Sequence, residues 1–296
     1  MKENVQVSLV QFSSEMLAPE RNAERMAELV LAEAGRHHAE LVVFPELSNT
    51  GYVRSARDDD YARRLYAASE TVPGPTTERL AAAARQSGAH VVAGISQRHP
   101  RIPELLYNAA VLIDPSGAIV GVQHKVHACR DEKEYYVPGD RVATYPTALG
   151  RIGLQLCYDV RFPELARVQA LDGAEIILSL WAAAVQPGRV PEGSIIARCA
   201  TRAMENALFF AGCNRTGTDD GQVFFGHSAI AGPDGSTLAA SGSDREESVR
   251  ATLVAERLSA QRRYLTLFRD RRPDLYAPIT APLSDPATTL TGKAST

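Results

Sequence analysis

Twice along this chain the same order of elements recurs: strand, helix, strand, helix, strand, hairpin. Val5 to Phe12 alternates as a strand, and Pro19 to His38 then places Ala23, Met26, Ala27, Val30 and Ala34 on one face of a helix. Leu41 to Phe44 reads as a short buried strand. A helix from about Thr76 to Ser87 turns Leu80, Ala83 and Ala84 inward, and Val91 to Ile95 follows as a strand. Asn108–Ile113 and Ala118–His124 flank the turn Asp114-Pro115-Ser116-Gly117 and form a hairpin. The second half runs through strand Ile152 to Cys157, helix Pro163 to Leu171, strand Glu175 to Leu180, helix Gly193 to Asn206 and strand Ala207 to Cys213. Its hairpin joins Ser228–Ala231 to Ser236–Ala240 around Gly232-Pro233-Asp234-Gly235. The two halves share this order but no visible sequence repeat. Two sheets, each with helices on one face, must hide their other faces. Packing them together predicts a four-layer α-β-β-α sandwich, an α/β fold, with a single doubly wound sheet as the alternative.

The chain has 296 residues, 45% of them hydrophobic, enough for a substantial core in one large domain or two small ones. Lysine and arginine total 32 against 35 aspartates and glutamates, a net charge of −3. That balance carries no electrostatic footprint for nucleic acid or an anionic membrane. No run is long enough to span a bilayer, and the N-terminal strand lacks the pattern of a signal peptide. Cys129, Cys157, Cys199 and Cys213 form no Cys-x-x-Cys pair, which points to a reducing, cytoplasmic setting. After Tyr276 the composition changes: Pro278, Pro282 and Pro286 stand among Ala, Thr and Ser and cannot build core. The expected division is therefore a domain over 1–276 and an arm over 277–296, frayed or laid over a partner subunit.

Three ionisable residues end apolar runs: Glu46 after Leu41-Val42-Val43-Phe44-Pro45, Lys125 after a hairpin strand, and Cys157 after Ile152-Gly153-Leu154-Gln155-Leu156. Strand ends in layered α/β proteins can converge on one cleft. A thiol, a carboxylate and an amine suffice for attack on a carbonyl. The carboxylate takes the thiol proton and returns it to a leaving amine, while the ammonium faces the developing oxyanion. Each residue also has a plainer reading: Cys157 as a small core residue, Glu46 as a loop acid, Lys125 as a solvated hairpin end. Rival constellations have less behind them. Cys157 with His124 or His127 lacks an orienting third group, and the spacing of His124, His127 and Cys129 matches no strong zinc pattern. No Gly-rich loop follows a strand at nucleotide-binding spacing. Neither metal nor cofactor is expected.

The blocks around these residues resemble the nitrilase superfamily of carbon–nitrogen hydrolases. Phe44-Pro45-Glu46-Leu47 with Thr50-Gly51-Tyr52 resembles the glutamate block, Lys125-Val126-His127 the lysine block, and Gly153 through Glu164 the cysteine block. Arg202-Ala203-Met204-Glu205-Asn206, Asn214-Arg215-Thr216-Gly217 and Gly226-His227-Ser228 support the match. The resemblance implies the four-layer sandwich of the nitrilase type, catalytic Glu46, Lys125 and Cys157, no cofactor, and dimerisation. It further implies a second active-site glutamate ahead of Pro138-Gly139. Glu132 fits the commoner spacing and Glu134 a rarer one.

The same family covers amidases, ω-amidases, N-carbamoyl hydrolases, nitrilases and amide-using acyltransferases, all on one triad. The cysteine block is nearest in flavour to the ω-amidase group, which implies cleavage of a small amide, or a carbamoyl compound, through a thioester. Arg161 corresponds to a position that binds a substrate carboxylate in some members, and a guanidinium suits that task. The other reading pairs it with Glu164 or Asp159. Tyr52, Tyr158 and Trp181 are the remaining candidate substrate contacts, with the loop Ala182 to Pro191 and Arg189 shaping the pocket. Tyr264-Leu265-Thr266-Leu267-Phe268 places apolar side chains beyond a completed core, so a homodimer or higher homo-oligomer is expected.

Overall fold

The computed structural model describes residues 1–53, 59–185 and 194–282. In chain order they form β1 (Asn4–Gln11), α1 (Pro19–His37), β2 (Leu41–Val43), α2 (Asp59–Ala68), α3 (Pro75–Ser87), β3 (His90–Arg98), β4 (Leu106–Ile113) and β5 (Ile119–His124). Then follow β6 (Thr144–Thr147), β7 (Gly150–Leu156), α4 (Pro163–Leu171), β8 (Ile176–Trp181), α5 (Ser194–Asn206) and β9 (Phe209–Asn214). The rest is β10 (Thr216–Asp219), β11 (Gln222–Phe225), β12 (Ala229–Ala231), β13 (Thr237–Ala240), β14 (Glu247–Val254), α6 (Ala255–Tyr264) and α7 (Ala277–Thr280).

Proline at the first turn fixes the starts of α1, α3 and α4, since its missing N–H has no partner to lose there. Left-handed residues His38 and Gly88 end α1 and α3. Among the described residues two six-stranded sheets form, ordered β14-β1-β2-β3-β4-β5 and β13-β12-β9-β8-β7-β6. Strand alternation then builds the layers. Val5, Val7, Leu9, Leu41, Val43, Val92, Ala110 and Leu112 face the second sheet and join its Ile152, Leu154, Leu156 and Leu178 in one core. Their neighbours Val10, Phe12, Val42, Phe44, Val91 and Val111 point the other way, onto Met26 and Val30 of α1 and Leu80, Ala83 and Ala84 of α3. On the far side Ala166 and Ala170 of α4 and Ile195, Cys199 and Ala203 of α5 cover the second sheet. The molecule is the four-layer α-β-β-α sandwich that the element order predicts, and the doubly wound alternative is excluded.

Several elements lie beyond that expectation. β14 returns from the far end of the chain to pair antiparallel with β1, and the short β6 edges the second sheet against β7. A hairpin of β10 and β11 stands between β9 and β12. Strand β7 stops at Leu156, one residue short of the expected end, and Cys157 opens a 3-10 turn. The residues after α6 are less surplus than their composition suggests: Phe268 packs on the core beneath the Arg262 guanidinium, although Tyr264 is exposed. Helix α5 is described from Ser194, so the expected start at Gly193 and most of the loop to Pro191, Arg189 included, lie outside the described residues. Of the arm, 277–282 are described and 283–296 are not.

Candidate active site

Glu46 reaches its place because the chain after β2 leans over β3. Phe44 N–H donates to Val92 O (2.8 Å), Gly94 N–H to Pro45 O (3.1 Å) and Ser48 N–H to Gly94 O (2.7 Å). A Cβ at position 94 would stand 2.4 Å from Pro45 O and 2.5 Å from Glu46 Cα, so glycine is what lets the glutamate backbone pass. Lys125 leaves β5 pinned to β4 by its N–H on Asn108 O (2.8 Å). Glu132 sits in the 3-10 turn Arg130–Glu134 that follows.

These three side chains meet out of contact with solvent. Lys125 Nζ donates to Glu46 Oε1 (2.6 Å) and to Glu132 Oε1 (2.7 Å), with both carboxylates fully buried. Asn108 Nδ2 also donates to Glu46 Oε1 (2.8 Å), and the Ala182 N–H to Glu46 Oε2 (3.0 Å). Tyr52 OH donates to Glu132 Oε1, and the Cys129 N–H to Glu132 Oε2 (3.2 Å). Glutamate 134 lies on the exposed side of the turn, so Glu132 is the one brought to the cluster.

Burial raises the Glu46 pKa to about 7; the Lys125 charge opposes this and Glu132 adds to it. Burial alone would depress Lys125, but the facing carboxylates outweigh it and hold the ammonium well above its ordinary value. A carboxyl poised near neutrality beside a permanent cation can accept and return a proton at working pH.

Cys157 faces this cluster from the second sheet. Burial, then Glu46, raises its thiol well above the usual range, while Lys125 and the Ala182 backbone pull the other way. Its φ of +40° lies in the left-handed region, costly for a side chain with a Cβ and common where a reactive group must be presented. Asp159, buried two residues on, accepts the Leu156 N–H (3.3 Å) and closes the turn.

Around the cluster the candidate contacts separate. Tyr52 packs edge-on to Phe224 of β11, whose other side meets the buried Arg215 guanidinium at 4.1 Å. Tyr158 is partly exposed, with the Arg161 guanidinium 5.9 Å from its ring. Arg161 makes no ion pair among the described residues, and the Asp159 oxygens are taken by backbone and His127 donors, so the alternative pairing with Glu164 or Asp159 is not formed. Trp181 sits differently from a pocket wall: its ring is buried in the core near Gly212, with its N–H on Ser179 Oγ. The neighbouring Ala182 N–H is what reaches the cluster. His124 and His127 go separate ways, His124 stacking on Tyr107 (4.1 Å) and His127 turning to Asp159.

Sequence reasoning missed four participants. Asn108 had a signal, a lone amide opening the apolar run Asn108–Ile113. Asp159 stands in the cysteine block. Arg198 lies on α5 one turn before Arg202, which donates twice to Val160 O (3.0 and 2.8 Å) in the cysteine turn. Burial, then the charge of Arg161, lowers the Arg198 pKa. The Ala182 N–H had no side-chain signal at all.

Known proteins bear on this geometry. The carbon-nitrogen hydrolase family matches residues 6–263. An (R)-stereoselective amidase of Pseudomonas sp is 33% identical over 270 residues, covering 90% of this chain and 92% of its own. The omega-amidase NIT2 of Xenopus tropicalis is 29% identical over 92% of this chain and 96% of its own. A carbon-nitrogen hydrolase from Helicobacter pylori superposes with a TM-score of 0.84 at 27% identity, over 94% of this chain and 98% of that one.

Proposed function

Since this chain belongs to the nitrilase superfamily of carbon–nitrogen hydrolases, and is a hydrolase acting on amides, we propose that it cleaves a small amide bearing a carboxylate, by way of a thioester on Cys157. The carrying observation is the Lys125 ammonium clamped between two buried carboxylates beside the strained cysteine turn. In the first half-reaction Glu46 takes the thiol proton as the sulfur attacks the carbonyl carbon. The carbonyl oxygen gains negative charge and meets the Lys125 ammonium. Collapse breaks the C–N bond, and the leaving amine carries off the proton from Glu46. In the second, Glu46 removes a proton from water, the hydroxide attacks the thioester, and the released thiolate recovers that proton, leaving a carboxylic acid. Glu132 holds Lys125 in line, with Tyr52 and Cys129 fixing Glu132.

The acidic substrate class rests on two arginines. Arg161 ends the cysteine turn and Arg198, on α5, feels its charge and that of Cys157; neither forms an ion pair among the described residues, although Arg198 is half buried. The resemblance to an omega-amidase fits the same class. A panel of acidic and neutral amides, read by ammonia release, tests this reading. Arg161→Ala should lower kcat/KM for acidic amides roughly ten- to a hundredfold, the loss of a charge-assisted pair, and spare neutral ones. Equal losses on both kinds would assign Arg161 to holding the loop and remove the carboxylate.

A homodimer belongs to the same proposal. Val168 and Leu171 of α4 and Met204 of α5 are exposed on one helical layer, and Tyr264 and Leu275, nearer the C-terminus, are exposed too. A monomeric mass at micromolar concentration would count against it. The four cysteines are all free, as a cytoplasmic setting would have them. Among the described residues no helix is long and apolar enough to cross a membrane.

A further inference from the structure

The groups that would act on one carbonyl come from different sheets. Glu46 and Lys125 leave the first sheet and are joined by an ion pair of 2.6 Å. Cys157 leaves the second. Asp159 is the side chain that connects its turn to the lysine. Its carboxylate is 1% exposed and accepts from both segments. Oδ2 takes the N–H groups of Leu156 (3.3 Å) and Val126 (3.4 Å), and Oδ1 takes the His127 N–H (2.9 Å) and faces His127 Nδ1 at 2.9 Å. Val126 and His127 are the two residues after Lys125. The His127 ring stacks on Phe162 with centroids 3.6 Å apart, and the Phe162 N–H returns to Asp159 O (3.1 Å).

We propose that Asp159 is a positioning residue, a clasp whose carboxylate sets where the Cys157 sulfur lies relative to the Lys125 ammonium, with His127 as its second point of attachment. The clasp rests on the roles given above to Cys157 and Lys125. It needs no contact with substrate and moves no proton. Every group aimed at the carboxylate is a donor or, at His127 Nδ1, a ring nitrogen that donates in the matching tautomer. An aspartate, which only accepts, satisfies all of them. An asparagine has the same shape but one NH2 face. With its NH2 at the Oδ2 place it opposes the Leu156 and Val126 N–H groups; at the Oδ1 place it opposes the His127 N–H, while Nδ1 can accept in its other tautomer, so at least one hydrogen bond is lost either way. The resulting shift lands on the separation of nucleophile and oxyanion partner, where a misplacement of about 1 Å can cost about a hundredfold in rate.

The full-length enzyme is compared with Asp159→Asn, His127→Ala and His127→Asn, measuring kcat and KM on whichever amide the wild type turns over. Asp159→Asn should lose roughly a hundredfold in kcat with KM nearly unchanged. His127→Ala should lose about tenfold, and His127→Asn, whose side-chain NH2 can replace Nδ1–H, should recover most of it. Asp159→Asn with His127→Ala together should be no worse than Asp159→Asn alone, because both cut the same connection. Wild-type kcat in Asp159→Asn would overturn the clasp. So would an equal loss in the two His127 variants, which would place the imidazole at the reacting atoms. If Asp159→Asn does not fold, the His127 pair decides the matter by rescue or its failure. Alkylation of Cys157 by iodoacetamide, which needs no substrate, is a second readout of where the sulfur lies: at one pH its rate should depart from wild type in Asp159→Asn and stand closer to wild type in His127→Asn than in His127→Ala. The amide reading itself fails on the wild-type enzyme, if no amide releases ammonia, whereas the clasp fails on the ratio of variant to wild type.

Discussion

The two sheets are near copies in plan and opposites in content. Each has an antiparallel edge strand, three parallel strands and an antiparallel pair, β14 through β5 in one and β6 through β13 in the other. In the first, the chain beyond β2 and β5 carries buried Glu46 and Lys125. At the matching exits of the second stand Ala182, which offers only an N–H, and Ser241. The exit of β1 is the core residue Phe12, while that of β7 is strained Cys157. The first half holds a self-consistent ionic network, and the second supplies one reactive atom and backbone donors. Repeated architecture therefore places strand ends together, and side-chain pairing decides which end can hold a charge out of water.

Substitutions at the two exits should separate accordingly. Cys157→Ala should lower kcat by roughly 10⁴-fold or more, since the nucleophile is gone. Its unfolding in urea should stay within about 1 kcal/mol of wild type, because no charge loses its partner. Alanine at Cys129, Cys199 or Cys213 should leave turnover in place. Full activity in Cys157→Ala would end the thioester scheme.

Lys125→Met tests the other side. It strands Glu46 and Glu132 together, so activity should fall with stability, the latter by about 3–5 kcal/mol at neutral pH. Urea midpoints equal to those of Cys157→Ala would mean that the ionic half contributes chemistry without organisation, and the contrast between the halves would collapse.

The smallest expected effect is a shift in pH dependence. With Glu46 raised to about 7, kcat/KM should climb through an acid limb near neutrality as the carboxyl loses its proton, then level off. The Asn108 amide stabilises the charged form and so lowers this pKa. Asn108→Ala should therefore move the limb upward, by roughly half a unit to one unit. A limb that stays in place would take Glu46 out of the role of base.

Much of this was readable from the residues alone. Apolar runs ending in Glu46, Lys125 and Cys157 mark the strand exits, and the alternation in Val5 to Phe12 marks a strand. What could not be read depends on distant partners or on backbone angles. The alternation in Glu247–Val254 does not say that it pairs with β1, more than two hundred residues away. β6 is four residues long and contains Pro146, too brief for a periodic signal. The positive φ of Cys157 leaves no trace in a thiol's identity. Trp181 is a candidate substrate contact in the sequence, whereas its ring lies buried in the core beside Gly212.

The elevated thiol pKa of Cys157 has a bearing on how the protein survives in a cell. Peroxide and electrophiles consume thiolates, and a cysteine kept ionised at rest is carried readily to sulfenic acid and beyond. Here burial and the neighbouring carboxylates keep the sulfur protonated until a carbonyl lies within reach and Glu46 is free to take the proton. Resting molecules should then accumulate little oxidative damage, and vulnerability should be confined to the moments of turnover.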